Sequence, residues 1–414
     1  MAQHDLLRAV RQEYLWDAVQ ARTAATLKRL LEVFMEHRRD EFLACRSHQR
    51  SEARRGYRNG FYDRRLDTLH GSLSLRVPRV RDAQEPFDVL VMDAYQRRQA
   101  DVDRAVLRWV ASGQSTREVS GTLEEAFGGL LSAGGVSAVV ARLDEEIRSF
   151  HSRPLTHGYH FLYLDAKHWY VSRLRRRRGS SRGQPTGRGR RRKAALLLAW
   201  GVRHDGAEEL ADFRVADSES QECWTGFLSD LERRGVRRRN PWNQTLDMII
   251  TDGDAGLRSA LLTVYPTVPK QRCIFHKVQD IADHLREHAN RGAILASAAA
   301  IYDGLRTPYQ ALHRLKRWVD HWRERAPEAV KNFAYEFEDT LTYLNAPCEW
   351  QRRVKTTNPL ERLIRELNKK TRKAGIWPSA KSWERATYLV WRKLQTQGYA
   401  PTTRRAPPPF TQTS

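Results

Sequence analysis

Residues 161–171 read FLYLDAKHWYV. An apolar run of this length predicts a strand. Asp165 is its only carboxylate, and a buried carboxylate left unpaired costs several kcal/mol, so the position requires a cation. Working outward, 194–202 and 211–216 predict further strands and 221–234 a helix. LDMIIT at 246–251 predicts a buried strand running into Asp252-Gly253. Strands and helices mixed in this order predict an α/β layer with two carboxylates, Asp165 and Asp252, where strands end or are interrupted.

The chain has 414 residues, room for about two to four domains. Its 72 Lys and Arg against 49 Asp and Glu give a net charge of +23 and a pI near 10.2, which points to a polyanionic partner rather than a small acidic substrate. With 40% hydrophobic residues and 12 Trp, 14 Tyr and 13 Phe, the sequence reads as folded rather than as a basic arm. Asp5, Arg8, Arg11, Glu13 and Asp17 interrupt any secretory signal. No stretch approaches the roughly 18 consecutive apolar residues of a membrane span. Cys45, Cys223, Cys273 and Cys348 form no CxxC pair, so neither a disulfide framework nor an all-cysteine zinc site is indicated. A soluble cytoplasmic protein with no membrane partner is expected.

Before the central strand, apolar residues from Leu15 to Phe42 recur at three-to-four spacing and predict one or two amphipathic helices. Their apolar face requires a partner, either this chain's own core or a second copy of it. Next, 62–69 and 72–77 predict a hairpin across His70-Gly71, ended by Pro78. Arg54, Arg55, Arg58, Arg64, Arg65, Arg76, Arg79 and Arg81 surround it. A solvated charged edge is one reading. Phosphate contact is the better one, because so many arginines with few acids repel one another without an anion. Three helices follow at 102–112, 116–127 and 133–150. The second opens on Ser115 and Glu118 at capping-box spacing. They suggest either a helix-turn-helix-like unit or a structural trihelical unit.

The segment 172–193 carries 11 basic residues and no acid, among them Arg175, Arg176, Arg177, Arg178, Arg190, Arg191, Arg192 and Lys193. Its Gly and Pro predict a mobile basic loop. From 280 to 343 the pattern is helical, as is 352–397, which contains TTNPLERLIRELNKKTRK with Glu361. The Pro- and Thr-rich end predicts disorder.

Acid triples occur in any chain of this size, and each acid has an ordinary reading. Asp252 suits an Asp-Gly turn, Glu361 an ion pair with Arg365, and Asp165 a pair with Lys167 or His168. Local context decides. YRNGFYDRRLDTLHGSLSLRVPRVR, GQSTREVSGTLEEAFG, FLYLDAKHWYV, TDGDAGLRSAL with QRCIFHK, and TTNPLERLIRELNKKTRKAGIWPS occur in this order over nearly the whole chain. In them the chain resembles the Mutator-type bacterial insertion-sequence transposases.

That resemblance implies an α/β RNase H-like catalytic domain interrupted by a helical insertion. Ahead of it would lie a mainly helical DNA-binding and dimerisation region with a small β-hairpin. The boundaries expected are 1–98 for the N-terminal region, 99–155 for the helix-turn-helix-like unit, 156–280 and 350–400 for the catalytic core, 281–349 for the insertion and 401–414 for the tail. Asp165, Asp252 and Glu361 would bind two Mg²⁺ ions, with Mn²⁺ as a substitute. Cys273 and His276 match the family's C-x2-H signature as supporting residues near the active centre; a zinc site would need more than these two ligands. At the position seven after the glutamate, where the family commonly has a basic residue, this chain has Asn368, followed by Lys369 and Lys370. Both lysines, with the arginines above, are expected on DNA, and Trp169 and Trp377 are candidates for stacking on bases or wedging between them.

The activity implied is transposition. Terminal inverted repeats are bound, a strand is cut by metal-activated water, and the freed 3′-OH attacks target DNA. Double-stranded DNA and a second copy of the chain would be the partners, at the bacterial nucleoid. The alternative is a catalytically inactive derivative that keeps sequence-specific DNA binding; a nuclease without strand transfer is a further rival.

Overall fold

The computed structural model describes residues 2–49, 51–89, 98–127, 131–173, 190–238, 246–285 and 289–396. They divide into two compact units, Met1–Ala141 and Arg142–Ser414. Arg175, Arg176, Arg177, Arg178 and the tail expected at 401–414 lie outside the described residues. No helix among the described residues is long and apolar enough to cross a membrane.

In the first unit a single helix, α1 (Ala2–Phe42), covers the stretch where one or two were expected. Leu27, Leu31 and Met35, four apart, form a stripe that packs on the hairpin of β1 (Tyr57–Thr68) and β2 (Gly71–Arg81). Alternation holds in β2, with Leu73, Leu75 and Val77 buried and Ser72, Ser74 and Arg76 exposed. The strand does not end at Pro78. It runs on to Arg81 because β1 bulges between Arg58 and Phe61, which sets Phe61 opposite the proline. A bulge in a two-stranded ribbon is where a residue without an N–H is tolerated. Leu15, Val19, Leu30, Val33 and Phe34 of α1 stay exposed.

Farther along, α2 (Ala100–Ala111), α3 (Thr116–Phe127) and α4 (Ala133–Ala141) bury Val102, Val106, Val119, Leu123 and Val136 against one another. The capping box forms as expected. Ser115 N–H donates to Glu118 Oε2 at 2.6 Å, and Glu118 N–H donates to Ser115 Oγ at 3.2 Å. The single helix expected over 133–150 breaks at Arg142, and α5 (Leu143–Ser152) belongs to the second unit. There Asp144 accepts two bonds from Arg385, at 2.7 and 2.8 Å, a distant partner that helical periodicity cannot reveal.

The second unit is built on a five-stranded sheet of order β5-β4-β3-β6-β7. The strands β3 (Tyr159–Arg173), β4 (Arg190–Arg203) and β5 (Glu208–Ala216) pair antiparallel. On the other side of β3, β6 (Met248–Thr251) and β7 (Lys270–Arg272) run parallel to it. Phe161, Tyr163 and Val171 of β3 enter one core and Leu162 and Leu164 the other, which is why the stretch reads as continuously apolar. One face is covered by α6 (Gln221–Arg234) and α7 (Ala255–Val264) through Trp224, Phe227, Leu228, Leu257 and Leu261.

The opposite face carries α8 (Ile274–Ala282), α9 (Arg291–Ala300), α10 (Pro308–Trp322) and α11 (Pro327–Ala334). With them pack α12 (Cys348–Val354), α13 (Asn358–Ala374) and α14 (Ala380–Thr396). The ends of the basic segment are strand rather than loop, with Val171 paired to Arg192 and Ser172 to Arg191. Aromatic and branched residues at the end of β3 offer a ladder that the arginines extend, despite their charge.

Candidate active site

Asp165 sits inside β3, and β6 stops at Thr251, one residue before Asp252. The parallel register runs from Phe161 opposite Met248 to Tyr163 opposite Ile250. Continued by two residues, it sets Asp252 level with Asp165, at the carboxyl end of β6 where open α/β sheets place their sites. The turn after β6 is tightly determined. Gly253 adopts φ +95°, and a Cβ there would collide with the Arg272 side chain. Asp252 Oδ1 accepts the Asp254 N–H at 3.1 Å, and Asp254 Oδ1 caps α7 by accepting the Leu257 N–H at 2.9 Å.

Both carboxyl groups are held above the ordinary carboxylate range. Asp165, 8% exposed, is pushed up to about 7, first by burial and then by the charge of Asp252; His276 and Lys167 offset this in part. Burial also raises Asp252, against the backbone hydrogen bond from Asp254 and the charge of His276. Among the described residues neither acid has a Lys or Arg ion pair. The neighbouring Arg272 is turned to Asp280, at 2.8 Å, and to Glu336, at 3.7 Å.

His276, in the first turn of α8, supplies the largest compensating charge to both acids. Burial would lower its pKa, but the Cys273 thiol and the charges of Asp165 and Asp252 outweigh burial and raise it to about 9. Burial would raise Cys273, yet the hydrogen bond and charge of His276 hold it below the usual thiol range. Cys273 is fully buried between Thr251, whose carbonyl accepts its N–H at 2.6 Å, and Thr357, whose Oγ1 lies 3.7 Å from its Sγ. Thr357 is the N-cap residue of α13. Cys273 thus links β6, which runs into Asp252, to the start of the helix that carries Glu361.

Asp165, Asp252, Cys273 and His276 are therefore brought together. Glu361 is placed in the first turn of α13 with an exposed side chain. Among the described residues no group of three or more His, Cys, Asp or Glu side chains stands close enough together to hold a metal ion. A buried and a half-buried carboxylate, only partly compensated by His276, nonetheless fit a hard divalent cation, which takes a few carboxylate oxygens and completes its shell with water and phosphate oxygens.

One acid on which the charges of the two aspartates act escaped the sequence reading. Glu219, two residues ahead of α6, has its pKa raised to about 8 by burial and by the charges of Asp252 and Asp254. In ADSESQE it reads as an ordinary polar turn before an N-cap serine, and only the fold brings the charges of Asp252 and Asp254 to bear on it.

The expected DNA contacts divide. Arg55 is exposed, and Arg65 and Arg76 share the exposed face of the hairpin, although Arg65 also binds Asp67 at 2.8 Å. Arg54 stacks on Tyr57 with its guanidinium carbon 4.5 Å from the ring centre. Arg58 is committed to structure, donating to Cys45 O at 2.6 Å and pairing with Asp40 at 2.8 Å, and Arg64 is half-buried. On β4, Arg191 lies over Tyr170, Arg192 pairs with Asp217, and Lys193 is exposed; Arg190 begins the strand. Lys369 is exposed beside Glu366, whereas Lys370, expected at the same surface, is buried with Leu363 and Leu367 on the inner face of α13.

Both stacking candidates have structural duties. Trp169 donates to Gly375 O at 2.8 Å. Trp377 is 6% exposed and exchanges backbone bonds with Tyr170 and Ser172 at 2.9 and 2.8 Å.

A family model described as Transposase, Mutator family matches residues 2–399, and the chain belongs to that family. The transposase for insertion sequence element ISRM5 of Rhizobium meliloti (strain 1021) is 31% identical over 357 residues, 86% of this chain and 83% of that protein. The transposase for insertion sequence element IS406 of Burkholderia multivorans (strain ATCC 17616 / 249) is 32% identical over 362 residues, 87% of each. Among solved structures, the Drosophila P element transposase strand transfer complex aligns with a TM-score of 0.31 and 10% identity, over 74% of this chain and 81% of that one.

Proposed function

We propose that this transposase binds the terminal inverted repeats of its own insertion sequence, cuts a strand there with water and joins the freed 3′-OH to target DNA, using divalent metal held in an RNase H-like domain. The observation that carries this reading is the pair Asp165, buried within β3, and Asp252, half-buried just after the parallel strand β6, neither of which has a Lys or Arg ion pair among the described residues. The strand order β5-β4-β3-β6-β7, antiparallel on one side of β3 and parallel on the other, supports the RNase H-like assignment.

Asp165 and Asp252 would hold two Mg²⁺ ions, or Mn²⁺ in their place, with Glu361 as the third carboxylate from the helix fastened at Thr357 to Cys273. Metal bound there would activate the attacking oxygen and stabilise the leaving one. The chain's own part is orientation. Gly253 and the Asp254 cap hold Asp252 in place, and His276 balances part of the acid charge. Arg55, Arg65, Arg76, Lys193 and Lys369 are the exposed cations offered to phosphates. Two element ends must be held together, and the exposed apolar face of α1, from Leu15 to Phe34, suits a second copy of the chain.

The test is a labelled duplex carrying the inverted repeat, incubated with Mg²⁺ or with EDTA. Metal-dependent nicking at the repeat end and joined products on a second duplex are expected. In Glu361→Gln both should fall on the order of 100- to 1,000-fold, the loss seen when one group acting on the transition state is removed. Salt-sensitive binding with no cut by wild type on paired ends would overturn the enzymatic reading.

A further inference from the structure

The hairpin of the first unit has two faces, and α1 covers one of them, where Leu66, Leu73, Leu75 and Val77 pack with Leu31 and Met35. The register defines the other. Asp67 stands opposite Ser72, Arg65 opposite Ser74, Asp63 opposite Arg76 and Phe61 opposite Pro78. Asp63, Arg65, Ser72, Ser74 and Arg76 are exposed on it. A face of this composition offers little apolar area to a protein partner.

Its two arginines are drawn apart. Arg65 Nε pairs with Asp67 at 2.8 Å, toward the turn, and Asp67 also accepts the Ser72 hydroxyl. The Arg76 guanidinium carbon lies 4.6 Å from the centre of the Phe61 ring, toward the bulge. Between them, on different strands, stand the short side chains of Ser74 and Asp63. Diagonal neighbours of this kind are about 7–8 Å apart, roughly two steps along a DNA strand.

Two strands about 4.8 Å apart, with their side chains, fit the major groove, about 12 Å wide, but not the minor groove, about 6 Å wide. There a serine hydroxyl can bond donor or acceptor base edges, and a carboxylate accepts from the cytosine amino group. Asp63 is out of place on a surface that only clamps phosphates, because it repels them. The surrounding charge suits DNA, with Arg55, Arg79 and Arg81 exposed along the same hairpin. The helix-turn-helix-like unit offers less, since α4 fully exposes only Gly134, Ser137 and Ala138.

We propose that the hairpin of β1 and β2 is a ribbon that enters the major groove of the terminal inverted repeat, with Ser74 and Asp63 on base edges and Arg65 and Arg76 on phosphates at either end. This rests on the reading that the chain binds its own repeats, and the experiment keeps the two claims apart. Full-length protein is titrated at fixed salt with the repeat duplex and with a shuffled duplex of the same composition, followed by fluorescence anisotropy. Wild type should prefer the repeat. Ser74→Ala should weaken repeat binding about 2- to 10-fold and leave the shuffled duplex unchanged. Asp63→Asn should weaken repeat binding about 10-fold yet strengthen binding to the shuffled duplex, because one negative charge leaves the surface. Guanine N7 methylations that block wild type on the repeat should cease to matter, at one or two positions, in these variants. Both side chains are exposed, so both variants should melt with wild type.

Equal changes on the two duplexes, including a gain on both in Asp63→Asn, would overturn the inference and leave repeat binding standing. A wild type without preference for its repeat would overturn repeat binding itself. Relief at adenine N3, which lies in the minor groove, would contradict the major-groove seating. Repeat preference kept in both variants while the DNA-free protein loses oligomer mass in sedimentation would make this face a contact between copies. A variant melting below wild type would give its residue a structural role instead.

Discussion

Two carboxylates of the central sheet, Asp212 and Asp165, are almost equally buried and electrically opposite. Asp212 on β5 is 0% exposed and fully compensated. His151 Nδ1 lies 2.6 Å from its Oδ1, the Phe213 N–H donates to that oxygen at 2.8 Å, and the Arg234 guanidinium takes Oδ2. Asp165 on β3 is 8% exposed and has no Lys or Arg ion pair among the described residues; the charge of Asp252 opposes its ionisation, and those of His276 and Lys167 only partly offset this. Burial alone does not separate structure from function. Compensation distinguishes the two acids, and an acid left without it is a candidate for binding a ligand.

The largest effect expected is on the compensated side. Asp212→Ala leaves Arg234 with Asp230, at 3.2 Å, as its remaining acid beside the carbonyls of Phe150 and Arg153, and should cost about 3–5 kcal/mol by chemical denaturation. Asp165→Asn should cost nothing in the absence of metal and add stability above neutral pH. Equal losses in the two variants would break the contrast.

Next comes the pH dependence. Asp165 titrates near 7 in the fold, well above the ordinary carboxylate value, so between about pH 4 and 7 the folded state keeps a proton that the unfolded chain has released. Stability of the metal-free protein should therefore fall as pH rises through that window, by at most about 4 kcal/mol from this group. Mg²⁺ should restore it, and Asp165→Asn should flatten the profile. A melting curve series in EDTA from pH 5 to 8 that rises or stays level would contradict the assignment of an uncompensated acid.

The smallest effect concerns the exposed cations. Arg65→Gln with Arg76→Gln should lower the slope of log affinity against log salt by about 1 to 2 in a DNA-binding titration, one phosphate contact each. Arg58→Gln should leave that slope unchanged and instead lower the melting temperature, because Arg58 is tied to Asp40 and Cys45.

Where local pattern and tertiary demand agree, the sequence was readable. The β3 run, the Leu73–Leu75–Val77 alternation, the Ser115–Glu118 capping box and helix α6 all stand where their spacing puts them. Several misses come from pairing partners that the local pattern does not show. Pro78 stays in its strand because of a bulge opposite it, Arg190–Lys193 become strand because β3 offers a ladder, and the helix break at Arg142 follows no Gly or Pro. In the site, Asp165 and Asp252 carried a signal, a lone acid in or after an apolar strand. Glu219 carried none, since a glutamate before an N-cap serine is ordinary until folding brings the charges of Asp252 and Asp254 to bear on it. Lys370 shows the reverse error, because it lies on the apolar stripe of Leu363 and Leu367 that buries α13.

The most direct measurement is anomalous diffraction from crystals of the protein grown with Mn²⁺. A peak bridging Asp165 and Asp252, with oxygens at about 2.0–2.6 Å, is the expected result. Mn²⁺ bound only elsewhere, with the two carboxyl groups left in contact with protein alone, would contradict the assignment of this pair as the metal centre.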